Sequence, residues 1–501
     1  MHFAMSSDSR KRARVIAWPA DLADALPLAL WSARGVAEAT GGIASGDFEM
    51  AGVEIDSREV REGDVFVALK GESTDGHRFV DGAMARGASA ALVEHEVPGR
   101  HIRVSDSFLA LQALGQAARR RTSATIVGVT GSVGKTSVKE ALFAALDRSS
   151  RGAAHRSVKS YNNHVGVPLS LARMPARSRF GIFEMGMNHA GEIAALTAQV
   201  RPHVAVITNI APAHIEMLGS EEAIADAKAE IFQGLLPGGT AVIPADSPHF
   251  ARLRAAALAQ DAQVVSFGRT AGADVRLLDA VPSALGSLVT IDMGDRRVCY
   301  TVAAPGEHWI LNSLAVMAAV RAAGGDLGAA GLALAELEGL SGRGARQEIA
   351  VAGGGTALLI DESYNANPAS MRATLAVLAA TPARRRVAVL GAMKELGDFA
   401  PSLHAALAEP IAAAGVDLAV LVGDEMSALV PELSKLNELG KSGQSLLGRP
   451  LAFAHCRGVD EARAALAAFG VAAGDVILVK GSNSVGLGAL VAALAAKPDG
   501  S

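Results

Sequence analysis

Short apolar runs alternate with longer amphipathic stretches through the middle of the chain. The runs "ATIVGVTG", "FGIFEMG" and "HVAVITNI" are each followed by a helix-forming stretch, the first of which begins near Lys135. Apolar runs of this length are typical of buried strands, and their alternation with helices is typical of a mostly parallel sheet covered by helices. The pattern therefore predicts a central α/β domain over residues 122–341.

The segments on either side of this middle part have their own patterns. The earlier one has short runs such as "DVFVALKG", split by Gly and Asp, and it ends in an Ala-rich amphipathic stretch closed by "ARRR". The later one repeats the strand–helix rhythm in "RRVAVLGA", "DLAVLVGD" and "DVILVKGS", which predicts a second, Rossmann-like domain. Since no G-x-G-x-x-G follows these strands, dinucleotide binding is not supported.

We therefore expect a three-domain α/β protein. A small substrate-binding domain occupies 29–121, the central domain 122–341 and the Rossmann-like domain 342–501. Residues 1–28 form an extension outside these domains, which we expect to be a disordered tail or the product of an early start codon ahead of Met5. Two α/β domains in one chain commonly leave a cleft between them, where ligands bind.

Composition narrows the class of protein. Half of the 501 residues are hydrophobic and 20% are charged, as in ordinary globular proteins. The net charge of -4 gives no reason to expect a nucleic-acid partner. Cys299 and Cys456 lie in no metal-binding or redox spacing, and no apolar run reaches the roughly 18 residues that span a membrane. We expect a cytoplasmic protein that is not inserted in a membrane.

The stretch "TIVGVTGSVGKTSVKE" has the form of a phosphate-binding loop, with Val129 where the first Gly of G-x-x-x-x-G-K-[ST] belongs. Gly131 and Gly134 allow a tight turn, Lys135 supplies charge for the outer phosphates, and the Thr136 hydroxyl can hold Mg²⁺. The missing Gly is the position nearest the strand, where an extended chain accommodates Val. The loop is therefore predicted to bind a nucleotide through the segment Thr130, Gly131, Ser132, Val133, Gly134, Lys135, Thr136 and Ser137.

The form T-G-[ST]-x-G-K-T resembles the loop of the Mur ligases and folylpolyglutamate synthetases, ATP-dependent enzymes that form amide bonds through an acyl phosphate. Four further stretches resemble the Mur ligase branch that adds D-alanyl-D-alanine to a UDP-N-acetylmuramoyl tripeptide. They are "YNNHVGVPLSLARM", "FEMGMNHAGEI", "TNIAPAHIEMLGS" and "AIADAKAEIF". The resemblance extends from about Trp31 to the last helix. It implies ATP and two Mg²⁺ ions as cofactors, the tripeptide nucleotide and the dipeptide as substrates, and a pentapeptide precursor of peptidoglycan as product.

Three side chains outside the loop are candidates for catalysis and metal binding. Glu184 ends an apolar run, so its carboxylate should lie at a strand end beside the loop, and His214 follows the next strand in the same way. Lys228 lies on a helix with Glu221 and Glu222 in its first turn and, taken alone, is interpreted as a salt-bridged surface lysine. The resemblance instead implies that Lys228 is carbamylated and holds the second Mg²⁺, and that Thr136, Glu184, His214 and Lys228 are the metal ligands.

The resemblance also implies contacts along the rest of the site. Asn312 should approach the adenine, Arg343 the phosphates, and Asp361 the nucleotide, although the alignment of Asp361 against Glu362 is uncertain by one place. Ser57 and Arg58 are the expected contacts to the uridine diphosphate. The remaining expected substrate contacts are Asn162, Asn163, Asn188, His189, Tyr364, Asn365 and Asn367.

Two positions depart from the family pattern, and both lie in the domain expected to bind the dipeptide. Ala392 stands where the family often has Asp, and Asn483 stands where many members have Arg. The details of the dipeptide pocket therefore stay open, as do the third residue of the tripeptide (diaminopimelate or lysine), the general base for the amine and the oligomeric state. No feature requires more than a monomer.

Three alternatives remain beside this interpretation. The ligase that adds the third amino acid usually has a D-N-P-R signature, which is absent here. A folate-type ligase would leave the first segment without a role. The third alternative is a nucleotide-dependent switch or assembly protein, whose GTP-reading members carry N-K-x-D, which is also absent.

Overall fold

The computed structural model describes residues 29–71, 74–213, 215–283, 286–441 and 450–496. The predicted extension over residues 1–28 lies outside the described residues. The chain divides into two compact units, the first ending at Ala110 and the second beginning at Leu111. The predicted domain bounds stay predictions.

The first unit is a small α/β structure. Its strands are β1 (Trp31–Ser32), β2 (Ile43–Ala44), β3 (Glu49–Met50), β4 (Gly52–Glu54), β5 (Asp64–Val67), β6 (Ala90–Val93) and β7 (His101–Arg103), and its helices are α1 (Ala33–Thr40), α2 (Val80–Ala85) and α3 (Ser107–Arg121), which continues past Ala110. Among the described residues, β2-β7-β6-β5-β4 form one sheet, parallel except for β2, and β1 pairs with β3. The buried run "VFV" of β5 is part of the core.

The second unit begins with a large sheet. Its strands are β8 (Thr125–Thr130), β9 (Ala154–Arg156), β10 (Phe180–Glu184), β11 (Val204–Ile207), β12 (Thr240–Pro244), β13 (Gln263–Gly268), β14 (Val275–Ser283), β15 (Gly286–Asp292) and β16 (Arg297–Val302). The helices of this part are α4 (Lys135–Ser150), α5 (Gly166–Ala172), α6 (Glu192–Val200), α7 (Ile215–Leu218), α8 (Glu221–Ala229), α9 (Phe250–Leu258), α10 (Glu307–Ala322) and α11 (Leu327–Glu336). In the described part of the chain the order is β16-β15-β14-β13-β12-β11-β8-β10-β9, and only the β14–β15–β16 pairings are antiparallel.

The strand order of this sheet positions a ligand site. β8 lies between β10 and β11 and is parallel to both, so the carboxyl ends of the three strands meet at one edge. After β8 the chain forms β9 and β10 on one side of β8 and then β11 on the other side, which makes this edge a topological switch point. In open α/β sheets, ligands bind in the crevice at such a point.

A second α/β sheet follows along the chain. Its strands are β17 (Ala345–Ala350), β18 (Thr356–Glu362), β19 (Arg386–Gly391), β20 (Leu418–Val422), β21 (Ala452–Cys456) and β22 (Val476–Lys480), and its helices are α12 (Pro368–Ala380), α13 (Ala400–Ala405), α14 (Ala408–Ala413), α15 (Val430–Lys441), α16 (Val459–Phe469) and α17 (Leu487–Ala495). Among the described residues, the order is β17-β18-β22-β19-β20-β21, with β17 the antiparallel edge. Every residue of β20 and of β22 is buried, as expected for parallel strands covered on both faces.

The predicted fold class is confirmed, because both sheets of the second unit are mostly parallel and covered by helices. The apolar runs chosen from the sequence form β8, β10, β11, β19, β20 and β22. Within the described ranges, no helix combines the length and the apolar character needed to cross a membrane.

Candidate active site

The glycine loop between β8 and α4 is built so that only glycine fits at two positions. Gly131 has φ +146°, and a Cβ there would lie 2.0 Å from Thr208 Oγ1. Gly134 has φ +86°, and a Cβ there would lie 2.8 Å from Asn312 Oδ1. Positive φ and close backbone approach are both reasons for glycine in phosphate-binding loops.

The missing first Gly is explained by the sheet. Val129 is still part of β8, fully buried, and pairs in register with Glu184 on one side and Val206 on the other. The chain therefore turns only after Thr130, and an extended β-branched residue is well suited to this position. The expectation that the chain is still extended at Val129 is confirmed.

Hydrogen bonds hold the loop against the segment that follows β11. The Ser132 backbone N–H donates to Asn209 O at 2.8 Å, and its hydroxyl donates to Ala211 O at 2.8 Å. Lys135 lies at the start of α4, and its Nζ donates to Gly131 O at 2.6 Å. Burial lowers the pKa of Lys135, an effect that the carboxylate of Glu184 opposes. The helix N-terminus and this lysine together favour an anion at the loop.

Glu184 lies at the carboxyl end of β10, directly beside the loop. Its side chain is 1% exposed; Oε2 accepts a hydrogen bond from Thr136 Oγ1 at 2.8 Å, and Oε1 accepts one from Asn162 Nδ2 at 2.9 Å. Lys139 Nζ lies 4.0 Å from the same Oε2. The structure therefore brings together a hydroxyl and a carboxylate predicted to hold Mg²⁺.

These two side chains fit Mg²⁺, which prefers oxygen ligands. The described residues contain no group of three or more His, Cys, Asp or Glu side chains arranged to hold a metal ion. Magnesium sites of phosphate-transferring proteins typically use one or two protein oxygens and complete their coordination with water and substrate phosphates, so Thr136 and Glu184 suffice for one such site.

Lys228 is buried rather than exposed. It lies near the end of α8, is 1% exposed, and its pKa is well below the ordinary value, first because of burial and second because of the charge of Lys135. Its interpretation as a salt-bridged surface lysine is therefore wrong. His214, the other predicted metal ligand, lies outside the described residues.

A cavity of about 350 Å³ lies at the loop and is walled by residues from both sheets of the second unit. The predicted site residues that line it are Ser132, Val133, Gly134, Lys135, Ser137, Asn162, Asn163, Glu184, Asn188, Asn312, Arg343, Tyr364, Asn365 and Asn367. Among the predicted site residues of the second unit that the structure describes, those that do not line it are Thr130, Gly131, Thr136, His189, Lys228 and Asp361. The cavity thus joins the phosphate loop to the residues predicted after position 341.

Arg343 reaches across this cavity. Its guanidinium lies 4.3 Å from the centre of the Tyr364 ring, and its Nη2 donates to Ser160 Oγ at 3.2 Å. A planar cation held by an aromatic ring is well placed to meet phosphate oxygens.

The structure does not bring Asp361 to the cavity. Its carboxylate is 7% exposed and accepts hydrogen bonds from the Gly342 N–H at 2.7 Å and the Ser363 hydroxyl at 2.6 Å. Glu362 lines the cavity instead. Successive side chains of a strand point to opposite faces, so Asp361 and Glu362 face opposite ways. A shift of the alignment by one place therefore changes which carboxylate is assigned to the site.

Several predicted substrate contacts also form hydrogen bonds with nearby backbone groups. Asn163 Oδ1 accepts from the Gly166 N–H at 2.9 Å at the start of α5, and Asn367 caps α12 with Ser370 in a capping box. His189 is exposed beside Glu192.

In the first unit, the predicted pair Ser57 and Arg58 lies in the turn after β4. The Arg58 guanidinium makes two hydrogen bonds to Asp56, at 2.9 and 2.7 Å, and Ser57 is half-buried. The role of this pair in binding uridine diphosphate stays a prediction.

Among the lining residues that the sequence analysis did not select are His308, Trp309 and Lys480, and it named Glu362 only as the alternative to Asp361. Burial lowers the pKa of His308 to about 4, an effect that the charge of Lys480 increases. Lys480 could have been noticed as a cation at the end of the apolar run "VILVK", the same signal that identified Glu184.

These features define a nucleotide-binding α/β protein whose phosphate loop faces a second α/β sheet across a cavity. The chain belongs to the Mur ligase family. Residues 49–121 match the Mur ligase family catalytic domain, residues 129–320 the Mur ligase middle domain, and residues 345–483 the Mur ligase glutamate ligase domain.

Individual relatives are similar over most of the chain. A UDP-N-acetylmuramoyl-tripeptide–D-alanyl-D-alanine ligase from Synechocystis sp. is 34% identical over 458 residues, which cover 90% of this chain and 94% of the relative. The crystal structure of MurF from Acinetobacter baumannii has a TM-score of 0.78 and 31% identity, covering 94% of this chain and 99% of that one. MurF from Thermotoga maritima in complex with ADP has a TM-score of 0.68 and 28% identity, covering 87% and 94%.

Proposed function

We propose that this protein is an ATP-dependent ligase that joins D-alanyl-D-alanine to the free carboxylate of a UDP-N-acetylmuramoyl tripeptide. The product is the pentapeptide precursor of peptidoglycan. The observation that carries the proposal is the cavity in which the phosphate loop, Glu184 and Arg343 meet, in a chain 34% identical to a ligase of this name. We place the reaction in the cytoplasm, where ATP is available.

The chemistry explains the need for a phosphate site. A carboxylate reacts poorly with an amine because its leaving group would be oxide. Transfer of the γ-phosphoryl group of ATP to the tripeptide carboxylate makes an acyl phosphate, from which phosphate can leave. The amine of the dipeptide then attacks the carbonyl carbon, the C–N bond forms, and the bond to the phosphate oxygen breaks.

The loop and strand-end residues of the central sheet would bind the phosphates of ATP. Backbone N–H groups of the loop and Lys135 bind the outer phosphates, and Arg343 approaches them from the other wall. Thr136 and Glu184 would hold Mg²⁺, which when bound neutralises charge that develops on the phosphoryl group. His214 is proposed as a further ligand.

We further propose that Lys228 is carbamylated and supports a second Mg²⁺. Only a neutral amine reacts with CO₂, and burial together with the charge of Lys135 favours the neutral form of Lys228. Carbamylation would turn this amine into an anion beside Lys135, so that the two side chains attract each other.

The remaining contacts divide between the two substrates and the base end of ATP. Asn312 lies against the loop at Gly134 and would meet the adenine, and Glu362 replaces Asp361 as the proposed nucleotide contact. The set Asn162, Asn163, Asn188 and His189 is proposed for the tripeptide, Ser57 and Arg58 for uridine diphosphate, and Tyr364, Asn365 and Asn367 for ATP or the amine.

The decisive experiment measures phosphate release from ATP with the tripeptide nucleotide, with and without D-alanyl-D-alanine, for both the diaminopimelate and the lysine forms. Release that requires both substrates and yields the pentapeptide is expected. Phosphate release that does not depend on the dipeptide but requires a single amino acid would instead assign this protein to the preceding ligation step. Lys228→Ala should lose activity and regain part of it when short carboxylates are added. If Lys228→Ala is as active as the parent protein when both are assayed at low bicarbonate, the carbamate is contradicted.

A further inference from the structure

Two oppositely charged side chains lie next to each other at the carboxyl edge of the second sheet. Glu362 ends β18 and Lys480 ends β22, and the two residues are direct partners in the parallel register of these strands. Both line the cavity, and Lys480 Nζ lies 3.5 Å from Glu362 Oε2. Lys480 is 2% exposed, so this is a buried cation with a defined partner.

The same ammonium group also holds the backbone of the cavity wall. Lys480 Nζ donates a hydrogen bond to Asn365 O at 2.9 Å. Asn365 lies in the turn between β18 and α12, which carries Tyr364 and Asn367 into the cavity lining. Removal of the Lys480 charge would therefore release both a carboxylate and the turn that follows it.

Each partner of the pair opposes the pKa shift that burial causes in the other. Burial raises the pKa of Glu362, and Asp361 adds to this, whereas Lys480 and Arg343 oppose it. Burial lowers the pKa of Lys480, and Arg343 adds to this, whereas Glu362 opposes it. The other group facing Lys480 is His308, which is neutral near pH 7 because its pKa is about 4.

We propose that Lys480 is a positioning residue of the ATP site, which acts through Glu362 and through the backbone of Asn365. It keeps Glu362 as a carboxylate and keeps the wall from Tyr364 to Asn367 in place. ATP affinity then does not depend on the protonation of Glu362 through the neutral pH range. This inference rests on the proposed function, since ATP is the ligand that the two residues serve.

Without Lys480, the buried carboxylate of Glu362 would take up a proton as the pH falls. A carboxylate contributes its ionic contacts above its pKa and loses them as the pH falls through that value, so a raised pKa moves the loss towards neutral pH. Lys480→Gln should therefore bind ATP more weakly at about pH 6 than at about pH 8, by roughly tenfold beyond any change in the parent protein.

The experiment measures ATP binding by titration calorimetry, without peptide substrates, at both pH values. Lys480→Arg keeps the charge and should have the same pH dependence as the parent protein. In Glu362→Gln/Lys480→Gln neither residue can titrate, so the pH dependence should again equal that of the parent protein, with affinity about tenfold lower at both pH values. Lys435→Gln, which removes an exposed lysine of α15 paired with Glu432, is the matched control and should change nothing.

Thermal unfolding of each variant separates a binding defect from a folding defect, because removing one partner of a buried pair can unfold a protein. If Lys480→Gln does not fold, Lys480→Arg and the double variant carry the test, and a double variant that binds ATP as tightly as the parent protein overturns the inference. A folded Lys480→Gln with the pH profile of the parent protein overturns it as well. A parent protein that binds ATP but makes no pentapeptide would contradict the proposed function and leave the inference standing.

Discussion

Gly131→Ala should lower the nucleotide affinity of the phosphate loop by more than backbone strain alone would. The new Cβ would lie 2.0 Å from Thr208 Oγ1 and 3.1 Å from the backbone nitrogens of Thr208 and Asn209. Thr208 cannot simply turn away, because its hydroxyl donates a hydrogen bond to Val133 O within the same loop. The loop must therefore move or give up that bond.

The magnitude follows from two contributions. A non-glycine residue at φ +146° costs about 1–3 kcal/mol in backbone strain. Loss of the Thr208 hydrogen bond adds about 1 kcal/mol. A total of about 2–4 kcal/mol, if expressed in the loop's ability to hold phosphates, corresponds to a loss of about 30-fold or more in nucleotide affinity.

The assay is titration of ATP into the variant, together with thermal unfolding. Gly152→Ala is the matched control, since Gly152 also has a positive φ, +84°, but has nothing within 4 Å of the position of a Cβ. It should lose some stability and keep its nucleotide affinity. Adding Thr208→Ala to Gly131→Ala should restore part of the affinity.

Two results would refute this reasoning. Nucleotide affinity of Gly131→Ala within about threefold of the parent protein would show that the loop tolerates a side chain there. An equal loss of affinity in Gly152→Ala would show that the effect does not depend on the contact with Thr208.

Three further changes test other parts of the structure. Thr136→Val keeps the shape of the side chain but removes the hydroxyl that donates to Glu184 at 2.8 Å. This variant should need more Mg²⁺ than the parent protein to support ATP binding, whereas Thr136→Ser should not. Unchanged dependence on Mg²⁺ in Thr136→Val would contradict the predicted site. Arg343→Lys loses the stacking on Tyr364 and should lower kcat/KM for ATP by about tenfold in steady-state assays, an expectation that full activity would disprove. Burial holds the pKa of His155 at about 4. The unfolded chain therefore binds more protons below about pH 6.5, so stability should fall by up to about 3 kcal/mol as the pH drops towards 4. Urea unfolding of His155→Gln should show a shallower loss over this range, and an identical slope would rule out this histidine as the cause.

The sequence was most informative where local pattern and tertiary burial agree. The buried runs that became β8, β10 and β22 could be recognised because parallel strands covered on both faces read as nearly continuous apolar runs. β14 and β15 were not recognised, since an antiparallel ribbon with one exposed face has a weaker pattern and β14 contains Pro282.

The side chains of the site were predicted unevenly for similar reasons. Glu184 could be predicted because its strand and the loop are adjacent in a simple topology. The burial of Lys228 could not be predicted, because the first turn of α8 carries two acidic residues and only the packing around the helix decides whether its one lysine is covered. The choice between Asp361 and Glu362 depends on which face of β18 each side chain occupies, and an alignment that is uncertain by one residue cannot give this.

The position of Trp309 in the cavity wall gives this protein an optical property. The chain has three tryptophans, of which Trp18 lies outside the described residues and Trp31 is buried in the first unit. Trp309 is 3% exposed and lies beside Asn312, at the proposed adenine end of the cavity. Replacement of Trp18 and Trp31 by Phe would leave Trp309 as the single tryptophan, so that filling of the nucleotide site could be followed in real time by selectively excited tryptophan emission, without a label.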